Sequence, residues 1–161
     1  MALLAWDLVS PIAYTAGEEL GFNLHFEAPA NTATKKFYLL GGLFADTTYI
    51  SDSLFGILKP ADVDYGVNDP TYMSVWELEP GEAVDLPCRF AFERSDVILG
   101  LFLMKMVGTE PSLDADEQVA SLSVQLSSPA PPASPVESIL PVVALVMALG
   151  MIGFVMYRVF K

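Results

Sequence analysis

The stretch EELGFNLHFE, residues 18–27, decides how most of this chain folds. From Leu20 to Phe26 every second residue is leucine or phenylalanine, and the residues between them are glycine, asparagine and histidine. Successive side chains of a strand point to opposite faces, whereas the apolar residues of a helix recur about every 3.6 positions. We therefore predict a strand that buries one face.

The same alternation of apolar and polar residues recurs at 84–92 and 120–126. Residues 96–106 are almost continuously apolar, which is typical of a central strand covered on both faces. Turn-forming residues such as those at 80–82 separate these runs. Shorter candidate strands are 37–44, 47–50, 55–58 and 72–78. The pattern predicts an all-β fold over residues 1–126, an antiparallel β-sandwich of seven to eight strands.

Two patterns in this region are similar to those of known surface domains. The first is the spacing Gly-Glu-x-x-x-Phe-x-x-x-Phe at 17–26, and the second is the strand at 80–92 that begins with Pro-Gly-Glu. In these features residues 6–126 resemble immunoglobulin-like and fibronectin-III-like domains, which implies a sandwich of two sheets. Antibody-type domains join their sheets by a cysteine pair, and Cys88 is alone. The resemblance therefore implies a fold and assigns no functional residues.

A long apolar run near the C-terminus predicts a membrane span. From Ile139 to Tyr157 there are 19 residues with no charged side chain. As a helix rising about 1.5 Å per residue they would extend about 28 Å, close to the hydrocarbon thickness of a bilayer. The alternative is a helix buried in a protein core, which needs a larger core than a chain of this length builds. We predict a single transmembrane α-helix at 139–157.

Individual residues fit a membrane helix at its ends and along its length. Proline is harmless in the first turn, small residues let helices approach closely, and aromatic and basic residues favour the membrane interface. Close approach of small residues would allow homo-oligomers through this helix. The residues assigned to the anchor on these grounds are Ile139, Pro141, Ala144, Ala148, Gly150, Gly153, Tyr157, Arg158 and Lys161.

The segments that flank the apolar run indicate how the chain meets the membrane. Residues 127–138 hold four prolines and four serines, and we interpret them as an extended stalk. The basic tail at 158–161 predicts, by the positive-inside bias, a cytoplasmic C-terminus and an extracytoplasmic body. The N-terminal sequence MALLAWDLVSP lacks the basic start of a signal peptide. A removed leader, insertion driven by the C-terminal helix and assembly into a virion membrane remain alternatives.

The charge of the chain is strongly acidic and unevenly distributed. Residues 1–138 hold all 20 acidic residues and 6 of the 8 basic ones, a formal charge of −14, and the remainder carries +2. Such a body repels the phosphates of nucleic acids. We therefore expect no nucleic-acid partner, and the expected partners are the lipid bilayer and other proteins.

The residue types that common catalytic sites need are scarce. His25 is the only histidine and Cys88 the only cysteine, so neither a disulfide within the chain nor a thiolate–imidazole zinc site can form. His25 falls on the polar side of its strand and is interpreted as a solvated surface residue, while Cys88 falls on the apolar side of its own. The sequence has no phosphate-binding glycine loop and no nucleophile elbow. We expect neither an enzyme nor a bound cofactor.

Two acidic loops could offer oxygen ligands to calcium, which binds carboxylates. Neither loop has the ligand spacing of the twelve-residue calcium-binding loop. We interpret them as solvated turn carboxylates and keep calcium as the alternative. The candidate ligands are Asp62, Asp64, Asp69, Asp114, Asp116 and Glu117.

These observations favour a structural or protein-interaction role. The chain would be a single-pass, membrane-anchored β-sandwich that serves as an accessory subunit of a surface or envelope assembly. The candidate contact residues are the loop residues Tyr65, Tyr72 and Met73, and the alternative is that these side chains are packed against the body. One alternative is a minor capsid or spike-type protein of a virus with a membrane, and another is a surface module that binds a small ligand or glycan.

Overall fold

The computed structural model describes residues 3–62, 66–67, 69, 73–111 and 113–130. Within these ranges the chain forms eleven β-strands and no α-helix, so the predicted all-β class is confirmed. The strands are β1 (Leu3–Trp6), β2 (Ile12–Ala13), β3 (Glu19–Glu27), β4 (Lys36–Ala45), β5 (Thr48–Tyr49), β6 (Phe55–Ile57), β7 (Gly66–Val67), β8 (Val75–Glu77), β9 (Ala83–Ala91), β10 (Val97–Lys105) and β11 (Gln118–Ser127).

The strands pair into two sheets that enclose one core, a sandwich-like arrangement. The smaller sheet has the order β1-β3-β9. The larger has the order β2-β11-β10-β4-β6-β7, with β5 and β8 also paired to β4. Strand pairs among the described residues are antiparallel except β2–β11, which is parallel. The expected purely antiparallel sandwich is therefore corrected to a mixed one, because the chain leaves the smaller sheet after β1 and joins the edge of the larger sheet alongside β11.

The predicted count of seven to eight strands is too low for a simple reason. β2, β5 and β7 have two residues each, and a segment of two residues cannot show a period of two. These short strands lie at the edges of the larger sheet or pair with the end of a longer strand. The long strands that form the body of both sheets were predicted within a few residues of their observed bounds.

The core lies between the two sheets and consists mainly of leucine and phenylalanine. β3 buries every second residue from Leu20 to Phe26, as the period of two predicts. β10 is a central strand, as predicted, with β4 on one side and β11 on the other. Its inward side chains Leu99, Leu101 and Leu103 are at most 1% exposed. The burial of these rows is the main favourable contribution to folding.

The close approach of β4 and β6 explains why position 41 of the larger sheet is a glycine. Gly41 lies opposite Phe55 in the register of these two strands. A Cβ atom on Gly41 would lie only 1.9 Å from Cζ of Phe55. The Phe55 ring therefore occupies the space that any other side chain at position 41 would need, and it packs there against Phe90 and Phe92 of the smaller sheet.

Tyr14 links the two sheets at the end of β2. Its backbone N–H donates to the carbonyl of Ser127, at the end of β11. Its hydroxyl accepts a hydrogen bond from the N–H of Phe92 at 2.7 Å, just beyond β9, and lies 2.7 Å from the carbonyl oxygen of Glu18. Tyr14 is 3% exposed, so these polar contacts are made within the core. One buried side chain thus joins the smaller sheet to the larger one.

The end of β11 is held by the loop that precedes β10. The carboxylate of Asp96 accepts hydrogen bonds from the N–H of Ser128 at 2.8 Å and from its hydroxyl at 2.6 Å. Hydrogen bonds from the Ser128 hydroxyl and N–H lower the pKa of Asp96 below its usual value. We call these contacts the Asp96–Ser128 clamp. The compact β unit ends one residue later, at Pro129.

The membrane-related predictions concern residues that the structure does not describe. None of the helical segments in the described part of the chain has the length and apolar character needed to cross a bilayer. The predicted transmembrane helix at 139–157, the basic tail at 158–161 and the stalk from residue 131 onward lie outside the described residues. These parts of the domain organisation therefore stay predictions.

Candidate functional site

The two sheets present outward surfaces of opposite character. The outward side of the smaller sheet, which we call the polar face, consists of Glu19, Gly21, Asn23, His25 and Glu27 of β3, and Ala83, Asp85, Pro87, Arg89 and Ala91 of β9. On the edge strand β1 the outward residues are Leu3, which is 43% exposed, and Ala5. Cross-strand pairs of opposite charge lie on the polar face. The side chain of Arg89 is 3.8 Å from that of Glu19, and Nδ1 of His25 is 2.7 Å from Oδ1 of Asp85.

His25 lies on the surface, as expected, and the register of the sheet supplies its partner. Position 25 of β3 lies opposite Asp85 of β9, which is 60 residues away in sequence. The shallow recess beside this pair is lined by Ala5, Trp6, Asp7, Asn23 and Leu24. None of these residues carries a hydroxyl or thiol, so within the described residues the histidine–carboxylate pair has no nucleophile to activate.

Asp7 is the other carboxylate of this recess. Its Oδ1 accepts the backbone N–H of Asn23 at 2.9 Å, and its Oδ2 accepts the side-chain amide of the same residue at 2.7 Å. The backbone hydrogen bond from Asn23 is the main reason that the pKa of Asp7 is lowered. Both contacts fix the chain just after β1. The recess is therefore best explained by local structure.

The outward side of the larger sheet is apolar at its centre. Alternation along the central strands directs large apolar side chains outward as well as inward, so a second cluster forms outside the core. Tyr38, Leu40 and Met104 are buried within this cluster at 0–6% exposure. We call this surface the apolar face; it consists of Tyr38, Leu40, Gly42 and Phe44 of β4, Ile98, Gly100, Phe102 and Met104 of β10, and Ser121, Ser123 and Gln125 of β11.

Aromatic rings cover the two glycines at the centre of the apolar face. Gly42 and Gly100 lie opposite each other in the register of β4 and β10. The ring of Phe44 packs edge-on against Phe102, with centroids 6.0 Å apart, and a Cβ atom on Gly100 would lie 2.8 Å from it. The rings therefore lie over the glycine backbone, where larger residues would push them outward. This arrangement keeps the centre of the face low and apolar.

A groove of about 430 Å³ crosses the apolar face. Its lining residues carry no charge, and they are Leu40, Tyr49, Leu54, Phe102, Met104, Leu113, Ala115 and Gln118. Leu113, on the β10–β11 connection, is 59% exposed, and Tyr49, on β5, is 44% exposed. Large apolar side chains exposed around an uncharged groove are typical of binding surfaces. The groove is the candidate functional site.

The neighbouring strand extends this uncharged area with small polar side chains. Ser121 and Ser123 of β11 are exposed and lie opposite Phe102 and Gly100 of β10. No outward position at 38–44, 98–104 or 121–125 carries a charge. In a chain with 28 charged residues (20 acidic and 8 basic), such an area marks one part of the surface as different from the rest.

The predicted contact residues fall only partly on this face. Met73 is half-buried and packs against the outer cluster, and its side chain lies over Gly56 of β6. Tyr65 and Tyr72 lie outside the described residues. Met73 is therefore packed against the apolar face. This is the alternative that the sequence analysis gives to an exposed contact residue.

The second acidic loop forms a turn of its own. Asp114 precedes a short 3-10 turn at 115–117, and its Oδ1 accepts the N–H of Asp116 at 3.1 Å. The Oε2 atom of Glu117 lies 3.5 Å from the hydroxyl of Tyr38, on the apolar face. Within the described ranges no three carboxylate, thiol or imidazole groups converge on one point. The carboxylates at 114, 116 and 117 therefore form no cluster of three ligands in this structure.

The first acidic loop is described only in part. Asp62 ends the 3-10 turn Pro60–Asp62, Asp69 is half-buried, and Asp64 lies outside the described residues. The structure therefore does not give the distances between the carboxylates of this loop. Calcium binding by these residues stays a prediction.

Cys88 lies in the core, as the alternation predicts, at 1% exposure. Burial, together with the negative charge of Asp7, raises the pKa of its thiol to about 12. The thiol is therefore protonated at neutral pH and out of reach of solvent. It has a structural role in packing.

Comparison with known proteins identifies no relative of this chain. No family model matches the chain, and neither a curated protein nor a solved structure is significantly similar to it.

Proposed function

We propose that this chain is a single-pass, membrane-anchored β-sandwich whose apolar face docks other proteins, as an accessory subunit of a surface or envelope assembly. The observation that supports this proposal most directly is the uncharged groove flanked by Tyr49 and Leu113 on a strongly acidic chain. Interface centres are depleted of charged residues and enriched in aromatic residues and methionine. The apolar face has this composition, with Phe44, Phe102 and Met104 at its centre.

The anchor in this proposal is the helix at 139–157, preceded by the stalk and followed by the basic tail. The length and lack of charge of this run support it, and the charges of Arg158 and Lys161 support an extracytoplasmic body. The stalk would hold the apolar face above the membrane, where other proteins can reach it. A membrane or virion surface would both provide such a setting.

We also propose that the β unit is immunoglobulin-like. In immunoglobulin domains one sheet contains strands A, B and E, and the other contains C, F and G. β1, β3 and β9 take the first three places in chain order, and β4, β10 and β11 take the other three. Cys88 lies in β9, so it corresponds to neither cysteine of the B–F pair. The strand order supports the assignment without that pair.

The proposed role is binding and not catalysis. His25 and Asp85 are adjacent to no described hydroxyl or thiol, and Cys88 is buried with a raised pKa. A nucleophilic mechanism needs an accessible nucleophile beside its base. The lack of such a set among the described residues supports an interaction protein.

Membrane attachment can be tested by fractionation of the full chain. We expect it to sediment with membranes and to resist alkaline extraction. Placing Ala144→Arg and Ala148→Arg together should release it, since an arginine near the helix centre costs about 2.5–3.5 kcal/mol. The matched control is Ala130→Arg with Ala133→Arg in the stalk, which adds the same charge and should stay attached. Wild-type chain in the detergent-free supernatant would refute the anchor.

Docking can be tested by a photo-reactive amino acid placed on either face. At Ser121, on the apolar face, we expect crosslinks to other protein chains in intact membranes. At Ala83, on the polar face, we expect few or none, although both positions are exposed on strands. Equal crosslinking from both faces would contradict a docking role for the apolar face.

A further inference from the structure

We propose that Pro87 keeps the edge strand β9 from pairing with the same strand of a second copy of this chain. β9 is the outermost strand of the smaller sheet. The backbone N–H and C=O groups on the outer side of an edge strand can bond to any extended chain that approaches. The proposal goes beyond the docking role of the apolar face, because it concerns the edge of the other sheet.

β9 is the longest of the four strands that end the two sheets. The other three, β1, β2 and β7, have two to four residues each. Edge strands this short offer few groups to a second chain, which is one way in which proteins protect the edges of their sheets. β9 has nine residues, so its length gives no such protection.

Hydrogen bonds at the two ends of β9 show which of its backbone groups face outward. The carbonyl of Glu82 accepts the N–H of Ala28, and the carbonyl of Phe92 accepts the N–H of Gly17. Both donors flank β3, and the register between β3 and β9 is continuous. Backbone groups alternate in direction along a strand. The even-numbered residues of β9 therefore bond to β3, and the N–H and C=O groups of the odd-numbered residues point to the outer edge.

Pro87 lies at the midpoint of this outer edge. The chain has 12 prolines, and Pro87 is the only one within a strand of the described residues. Position 87 is odd-numbered, so the missing N–H is on the outer side and the pairing with β3 loses no hydrogen bond. The remaining outer donors form two short groups, Ala83 with Asp85 and Arg89 with Ala91. The proline thus divides the edge where it would otherwise be continuous.

The side chains of β9 would otherwise suit pairing with a second copy. In an antiparallel pair centred on position 87, Asp85 of each chain lies opposite Arg89 of the other. Cross-strand pairs of opposite charge stabilise a sheet. At the centre of this pair neither Pro87 has an N–H to donate, so both central hydrogen bonds are lost. The net charge of −12 adds long-range repulsion between copies.

Amide hydrogen exchange of the full chain in detergent, resolved to single residues, tests the open edge. We expect fast exchange of the N–H groups of Asp85 and Arg89. The N–H groups of Leu86, Cys88 and Phe90 should exchange slowly, because they bond to β3. Slow exchange at both outer positions would show that another strand covers the edge, and it would overturn the proposal. This measurement needs no substitution, so it stays decisive if a variant fails to fold.

Replacing the proline tests its role. In Pro87→Thr we expect exchange at Asp85 and Arg89 to slow about tenfold or more, and the mass to rise above that of the wild type. Both effects should grow with protein concentration. The matched control is Pro60→Thr, at an exposed position outside the sheets, which should keep the mass of the wild type. A folded Pro87→Thr chain whose two outer N–H groups stay unprotected overturns the proposal, whatever its mass.

Charge changes in the Pro87→Thr chain test the register of the pair. Adding Arg89→Asp places like charges opposite each other and should abolish the association. Adding Arg94→Asp, at an exposed position beyond β9, makes the same change in net charge and should preserve it. Equal association of the two double variants would overturn the pairing centred on position 87. The tests of docking and of membrane attachment do not depend on these outcomes.

Discussion

The outward surfaces of the two sheets follow the same alternation and yet have opposite chemistry. On β3 and β9 the outward residues are charged or small, and they pair across the strands as Arg89 with Glu19 and His25 with Asp85. On β4 and β10 the outward residues include Leu40, Phe102 and Met104. A sheet that faces water on one side needs only one apolar row per strand. The larger sheet carries two, and its outer row is covered in part by the chain's own residues Leu54 and Met73. The proposed docking role concerns the part of this row that stays open.

The largest expected effect comes from a glycine beneath the apolar face. Gly41→Ala would place a methyl group within the Phe55 ring, and relief requires movement of a core side chain. We expect the free energy of unfolding to fall by about 3 kcal/mol, the upper part of the range for overpacked cores. Denaturant unfolding at neutral pH measures this change.

The matched control is Gly21→Ala on the polar face. A Cβ atom at position 21 meets only the carbonyl oxygen of Cys88, at 4.0 Å. We expect little change there, within about 0.5 kcal/mol. If Gly41→Ala and Gly21→Ala lowered the free energy of unfolding equally, the result would contradict the close approach of β4 and β6.

A smaller effect is expected where Tyr14 joins the sheets that carry the two faces. Tyr14→Phe removes the hydroxyl and leaves the buried N–H of Phe92 without its partner. An unsatisfied buried donor costs about 1–3 kcal/mol, and we expect the lower half of that range because the ring remains. Tyr49→Phe, on the exposed rim of the groove, should be nearly neutral and serves as the control. A neutral Tyr14→Phe would mean that water replaces the lost hydroxyl.

The smallest effect is a loss of stability at acid pH, and one carboxylate near each sheet causes it. The pKa values of Asp7 and Asp96 are lowered in the folded chain, so their stabilisation is present above the ordinary aspartate pKa of about 3.9 and is lost as pH falls through the lowered values. Asp7→Asn and Asp96→Asn should each flatten the fall in denaturant midpoint below about pH 4.

A third variant assigns the effect at Asp96 to its partner. Ser128→Ala removes the hydroxyl that donates to Oδ2 of Asp96. We expect it to reproduce part of the flattening seen with Asp96→Asn. A Ser128→Ala profile identical to that of the wild type would exclude the serine hydroxyl as the cause.

Much of the fold could be predicted from local periodicity, and the rest depended on register. The alternation from Leu20 to Phe26 and the apolar run in β10 gave long strands and their buried sides. The parallel β2–β11 pair involves two residues of β2, Ile12 and Ala13, which carry no detectable pattern. The pairing of His25 with Asp85 depends on which residues of β3 and β9 lie opposite each other, and no local pattern encodes this.

The candidate site was missed although its signal was present. Residues 96–106 are apolar at both odd and even positions, which predicts a strand covered on both faces. Residues 37–44 share this pattern, but the sequence analysis identifies them only as a candidate strand. The structure shows that Tyr38 and Met104 are covered, whereas Phe102 is only half-buried and borders an open groove. Coverage depends on where the loops near Leu54 and Leu113 lie, and loop placement is not encoded by strand periodicity.

The Asp96–Ser128 clamp has a mechanical consequence. Any tension transmitted through the chain beyond Ser128 reaches the clamp first and then runs lengthwise along β11. β11 is hydrogen-bonded to β10 from the pair Leu126–Val97 to the pair Gln118–Met104, so a lengthwise pull loads these bonds together, in shear. A strand peeled sideways would lose them one after another. A lengthwise pull from the C-terminal side is thus resisted by all of these bonds at once.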